Sequence, residues 1–129
     1  MSEPLAFVFV FGGDPQDLTV TLSGSLDARG LSQLNRALIA DARLKPGMRI
    51  LVDLAGVDTS PLDDDELFVG VGPVHERDAM APPRAVAIIA RDPASFERAV
   101  HYRAHLGGST SRRHVFANRA DALAWLAAQ

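Results

Sequence analysis

The densest chemistry in the chain follows a short apolar run: Asp58-Thr59-Ser60-Pro61-Leu62-Asp63-Asp64-Asp65-Glu66. Hydroxyls and carboxylates this close together admit three chemistries. The hydroxyls could accept a phosphoryl group, the carboxylates could hold a divalent cation, or the segment could meet a partner. Cation binding is the weakest of these. Consecutive helical residues point in different directions, so Asp63, Asp64, Asp65 and Glu66 cannot converge with Asp58 on one ion. Helix capping accounts for the pattern without any ligand. Ser60 as N-cap, Pro61 at the first helical position and Asp63 at the third complete a capping box. Each acid of the first turn also meets the positive end of the helix dipole, contributing about 0.3–1 kcal/mol when exposed. The functional alternative is a partner-recognition edge made of Asp58, Thr59, Ser60, Leu62, Asp63 and Asp64, with an exposed Leu62 as apolar anchor beside acidic steering charge.

Other candidate centres are poorer. His101 and His105 stand four apart on one helical face, but no third ligand accompanies them. Tyr102 follows His101 where a zincin would carry its general base. Gly12-Gly13 lacks a following GK[ST] sequence, and Gly70-x-Gly72 does not sit between a strand and a helix, so neither reads as a phosphate loop. There is no G-x-S-x-G element, and with no cysteine in the chain, thiol nucleophiles, disulfides and thiolate metal sites are excluded. The expectation is no catalytic residue, no metal and no cofactor.

Charge is unevenly spread. Residues 1–78 carry 13 Asp/Glu against 6 Lys/Arg, and residues 79–129 carry 3 acids against 7 arginines, within a net charge of −3. Such bipolarity steers charged partners or favours self-association, so a homodimer stays open. The basic half lacks the aromatic interleaving of single-strand nucleic-acid binders, so nucleic acid is not expected. The apolar run Leu5–Phe11 has no basic segment before it and is too short to span a bilayer; the expectation is a soluble, cytoplasmic protein.

The elements that position these residues follow from periodicity. Phe7–Phe11 reads as a strand, Gly12-Gly13-Asp14-Pro15 as a turn, and Leu18–Leu22, alternating apolar and polar, as a second strand exposed on one face. Gly24–Asp27 closes the pair. Leu31, Leu34 and Leu38, with Ala42 behind them, place one stripe on a helix stopped by Lys45-Pro46-Gly47. Ile50–Leu54, apolar on both faces, is a central strand. A second helix starts near Ser60 and carries Leu67, Phe68, Val71 and Val74, although Gly70, Gly72 and Pro73 argue against its C-terminal half. Arg84–Ala90 is a strand. Asp92 caps a third helix with Pro93 at its first position, and that helix runs to Gly107-Gly108. After a polar loop, Ser109–Arg113, come the strand His114–Ala117 and a last helix capped by Asn118. The order β-β-α-β-α-β-α-β-α implies one α/β domain over residues 1–129, a mostly parallel β-sheet with an N-terminal hairpin and about four helices. At 129 residues, 47% of them hydrophobic and 22% charged, the chain can build one core.

Leu22-Ser23-Gly24-Ser25-Leu26-Asp27, Leu51-Val52-Asp53-Leu54-Ala55-Gly56-Val57 and the ending Val115–Leu126 resemble the STAS family, which includes anti-sigma factor antagonists and the SpoIIAA-like proteins. The element order matches across the chain. The resemblance implies a STAS-like fold and a non-catalytic regulatory module. Its implied partner is a protein, an anti-sigma kinase or another STAS protein, met at the loop Asp58–Ser60 and at Leu62–Glu66. In the antagonists, Asp-Ser-Ser-Gly opens the helix and a serine there is phosphorylated. Here Pro61, Leu62, Asp63 and Asp64 occupy those positions, and the acceptor serine is missing. Three explanations stand. Asp63 imitates phosphoserine, with one charge in place of about −1.5 to −2. Alternatively, Thr59 or Ser60 takes over as acceptor. The third, which is favoured, places the chain in the SpoIIAA-like branch, where the serine is often absent. The rival function is a small-molecule or lipid carrier of CRAL-TRIO-like type, with Phe68, Phe96, Tyr102 and Trp125 lining a pocket.

Overall fold

The computed structural model describes residues 3–62, 72–105 and 113–129. The chain opens with an antiparallel pair, β1 (Ala6–Phe11) and β2 (Leu18–Ser25). Phe7, Phe9 and Phe11 face inward opposite Leu22, Val20 and Leu18. The alternate residues Val8 and Val10 lie on the other face and are 58% and 53% exposed. This is the period-2 alternation of a sheet edge covered on one side. Then follow α1 (Ala28–Ala40), β3 (Arg49–Asp58), α2 (Gly72–Met80), β4 (Ala85–Ile89), α3 (Pro93–His105), β5 (Arg113–Phe116) and α4 (Arg119–Ala127).

The five strands lie in the order β1-β2-β3-β4-β5, with β2 through β5 all parallel. Three crossovers that each step to the next strand in the same direction, with the same right hand, must put their helices on one face. Accordingly Leu31, Leu34 and Leu38 of α1 and Ala99 of α3 share a buried cluster with Leu18, Val20, Leu22, Ile50, Val86 and Ile88. The last helix covers the opposite face. Ala122 and Leu126 pack on Leu51, Ala85, Ala87 and Ile89. Leu51 and Ile50 are both buried because they look toward different layers, which is why the run at β3 is apolar at consecutive positions.

Several expectations hold at residue level. Asp27, expected only to close the strand pair, also caps α1, its Oδ1 accepting from the Gly30 N–H at 2.7 Å. Asp92 Oδ2 accepts from the Ser95 N–H at 2.9 Å, and Asn118 caps α4 through Asp121. Gly24 sits at φ +82°, and a Cβ there would collide with the Pro4 carbonyl oxygen. Among the described residues, no helix is long and apolar enough to cross a membrane.

Others are corrected. The first helix ends at Ala40 and not at Lys45-Pro46-Gly47, because the Asp41 carboxylate turns to accept from the backbone and guanidinium of Arg43. Strand β3 continues to Asp58, its pairing with β2 carried past an irregularity between Thr21 and Ser23. The doubted segment Gly72–Met80 is helical: Gly72 and Pro73 are its first two residues, in the turn where a backbone N–H has no intrahelical acceptor, so proline loses nothing by lacking one. The last strand begins at Arg113, one residue before the expected start. Leu67, Phe68 and Val71 lie outside the described residues.

Candidate functional site

Between the sheet and the helices α1–α3 the core is not filled. A cavity of about 70 Å³ is lined by Leu22, Leu26, Leu31, Val52, Val86 and Ile88. Polar residues also line it: Asn35, Thr59, Arg77, Ser95, Arg98, Tyr102 and Arg113.

Local structure dictates each position. Arg113 pairs in register with Val86, and Val115 with Ile88, so Arg113 falls on the helix-covered face of the sheet. Arg77 lies three residues beyond Val74, which is wholly buried against Tyr102. That spacing puts both on the inward face of α2. Arg77 is 6% exposed and Arg113 3%. Asn35, buried on α1, donates Nδ2 to the Leu31 carbonyl at 2.9 Å, which leaves its Oδ1 to accept from Arg77 Nη1 at 2.7 Å.

One carboxylate serves both guanidinium groups. Asp78 Oδ1 lies 2.8 Å from Arg113 Nη2 and 3.5 Å from Arg77 Nη2. Among the described residues, Arg77 Nε, Arg113 Nε and Arg113 Nη1 are buried without an acceptor in good hydrogen-bond geometry. Burial lowers the pKa of Arg77, and the neighbouring Arg113 acts in the same sense against the pull of Tyr102 and Asp78. For Arg113 burial also opposes the charge, but the Tyr102 phenol and the Asp78 carboxylate outweigh it and raise its pKa. Both remain cations, since a guanidinium does not deprotonate in proteins.

The second polar group is a hydroxyl pair. Thr59 Oγ1 and Ser95 Oγ are 2.8 Å apart and buried, and Arg98 Nη1 reaches Thr59 Oγ1 at 3.3 Å. Ser95 also has the Asp92 carboxylate beside it: Asp92 Oδ2 accepts from the Ser95 N–H at 2.9 Å, and hydrogen bonds from the Ser95 backbone and side chain lower the Asp92 pKa. The arrangement can bind and orient a molecule.

The residues expected to form a recognition edge do not stay together. Asp58 and Ser60 are exposed, joined by an Asp58 Oδ1 bond from the Ser60 N–H at 2.9 Å that holds the Asp58 pKa below its ordinary value. Thr59 is buried and engaged with Ser95, so it is not free to accept a phosphoryl group in this conformation. Leu62, expected as an exposed anchor, is 4% exposed and lines the cavity. The reason is the turn: the Leu62 N–H donates to the Thr59 carbonyl at 2.9 Å, folding the chain back onto the core. Ser60 and Pro61 belong to that turn and do not open a helix. Asp63 and Asp64 lie outside the described residues. The aromatic residues do not share a pocket either. Tyr102 lines the cavity, Phe96 lines a separate groove with Pro93 and Val100, and Trp125 packs on the opposite sheet face. His101 is exposed, and no group of metal-ligating residues occurs among the described residues.

Arg77 and Arg113 were not singled out by sequence pattern. One signal existed: alternation from Val115 back through His114 puts residue 113 on the buried face.

No protein-family model matches the chain, and no curated protein matches it. Among solved structures it is similar to an uncharacterised protein of the DUF3478 family from Shewanella loihica with a SpoIIAA-like fold. The identity is 18% over 96% of this chain and 94% of that one, with a TM-score of 0.59. The fold is therefore SpoIIAA-like, a single α/β domain.

Proposed function

We propose that this chain is a non-catalytic binding domain that encloses a small, largely apolar molecule between its sheet and helices α1–α3. The supporting observation is the cavity itself. Protein interiors rarely leave voids larger than a water molecule. A 70 Å³ opening in an apolar core forgoes packing contacts. It lies where Leu22, Leu31 and Ile88 should pack most closely, and a bound molecule recovers that loss.

A second reading keeps the domain as a regulatory module. Asp58 and Ser60 are exposed at the carboxyl end of the central strand, where a protein partner such as an anti-sigma kinase or another STAS protein has access. In that reading Asp63 and Asp64 extend the contact.

Native mass spectrometry of the protein isolated gently from its own host separates the two. A small adduct of fixed mass supports the binding domain. A bare chain in a stoichiometric protein complex contradicts it and favours the module.

A further inference from the structure

We infer that the Arg77–Arg113 pair recognises the head of a small aliphatic monocarboxylate, whose chain lies along the apolar lining of the cavity. This rests on the binding-domain reading and names the ligand class. Three observations carry it.

The first is donor count. Arg77 Nε, Arg113 Nε and Arg113 Nη1 are buried N–H donors that meet no acceptor in good hydrogen-bond geometry among the described residues, although the Arg113 guanidinium also interacts with the Tyr102 phenol, and both side chains line the cavity. Buried polar groups are nearly always paired, and guanidinium groups more than most because their desolvation is costly. A carboxylate brings acceptor capacity on two oxygens in the planar geometry that guanidinium prefers.

The second is charge. Among the described residues, two buried cations face one carboxylate, Asp78. One further negative charge would balance these three described side chains. A phosphate dianion would overshoot it, and a neutral head would leave the excess cation in place.

The third is the lining. Beside the arginines the cavity is lined by Leu22, Leu26, Leu31, Val52, Val86 and Ile88, Val86 being the strand partner of Arg113, and these side chains offer no hydrogen bond. They suit a saturated chain and disfavour a sugar or an amino acid. Arg98 does not compete for the head, because it is directed to Thr59.

Calorimetric titration of the whole chain with butyrate, hexanoate, 1-butanol, 1-hexanol and inorganic phosphate tests the assignment, alongside Arg77→Met and Arg113→Met. The expected result is that a carboxylate binds at least about tenfold more tightly than its matching alcohol, as a charge-assisted bidentate contact requires. Either arginine substitution should abolish that preference while the alcohol affinity persists. If a variant does not fold, the carboxylate-to-alcohol ratio of the unaltered chain decides. Equal binding of alcohol and carboxylate overturns the head-group assignment and leaves the binding domain standing. Tighter binding of phosphate than of either carboxylate overturns the monocarboxylate. Carboxylate binding untouched by both substitutions overturns the site. No binding by any of the series overturns the assignment and the binding-domain reading together.

Discussion

Arg77 and Arg113, which come from different elements, reach the same carboxylate oxygen, Asp78 Oδ1, at 3.5 and 2.8 Å. The contact ties helix α2 to strand β5 and leaves more positive than negative charge inside the domain among the described residues. Removing the shared anion is therefore worse than removing one cation. Asp78→Asn should cost about 3–5 kcal/mol, as expected for breaking a buried pair. Arg113→Met should cost less, because it also removes an uncompensated charge. Urea unfolding of both variants checks the order; the reverse order would mean that the cations are balanced some other way.

Leu62 is a core residue and not a surface anchor. Leu62→Ala should destabilise the fold by about 2–5 kcal/mol, the range for truncating a buried leucine. A loss under about 0.5 kcal/mol would be that of a solvent-facing side chain and would contradict its burial.

Gly24→Ala should cost about 2–4 kcal/mol. The residue sits at φ +82°, and the added Cβ meets the Pro4 carbonyl oxygen, so backbone strain and displacement add. The Gly-x-Leu-Asp sequence thus has a local physical basis: Gly24 admits the N-terminal segment, Leu26 is buried, and Asp27 caps α1.

Asp41 should titrate at about 2, held there first by its side-chain bond from Arg43 and then by the Arg43 backbone N–H. Its folded pKa lies below the unfolded value, so its stabilising contribution is complete above the ordinary carboxylate range. That contribution is lost as pH falls through about 2. A carbon-detected NMR titration should show this midpoint, and Arg43→Ala should move it up toward about 3.9, the unperturbed value. An unchanged midpoint would remove Arg43 as the cause.

The fold was legible because its signals are local. Strands, caps and the order of elements are set by alternation, by Asp27, Asp92 and Asn118, and by Gly24. Errors arose where a side chain redirected the backbone. Asp41 ended a helix early by turning onto Arg43, and Asp58 with Thr59 built a turn where Ser60-Pro61 reads as a helix start. The site was barely legible. Arginine is ordinarily a surface residue, and no local pattern marks Arg77 or Arg113 as buried. Their burial follows from the pairing of β5 with β4 and from the seating of α2 against Asn35, contacts between residues 27 and 42 positions apart. The hydroxyls Thr59 and Ser95 meet in the same non-local way, 36 positions apart.

The most direct test observes the unpaired donors themselves. Proton–nitrogen NMR of the arginine Nε–H groups, recorded with and without hexanoate, resolves Arg77 and Arg113 from exposed arginines such as Arg29 and Arg36. The expected result is that hexanoate shifts both Nε–H signals and slows their exchange with water, while 1-hexanol does neither. Unshifted Arg77 and Arg113 signals at saturating hexanoate would contradict the assignment of the cavity to a carboxylate.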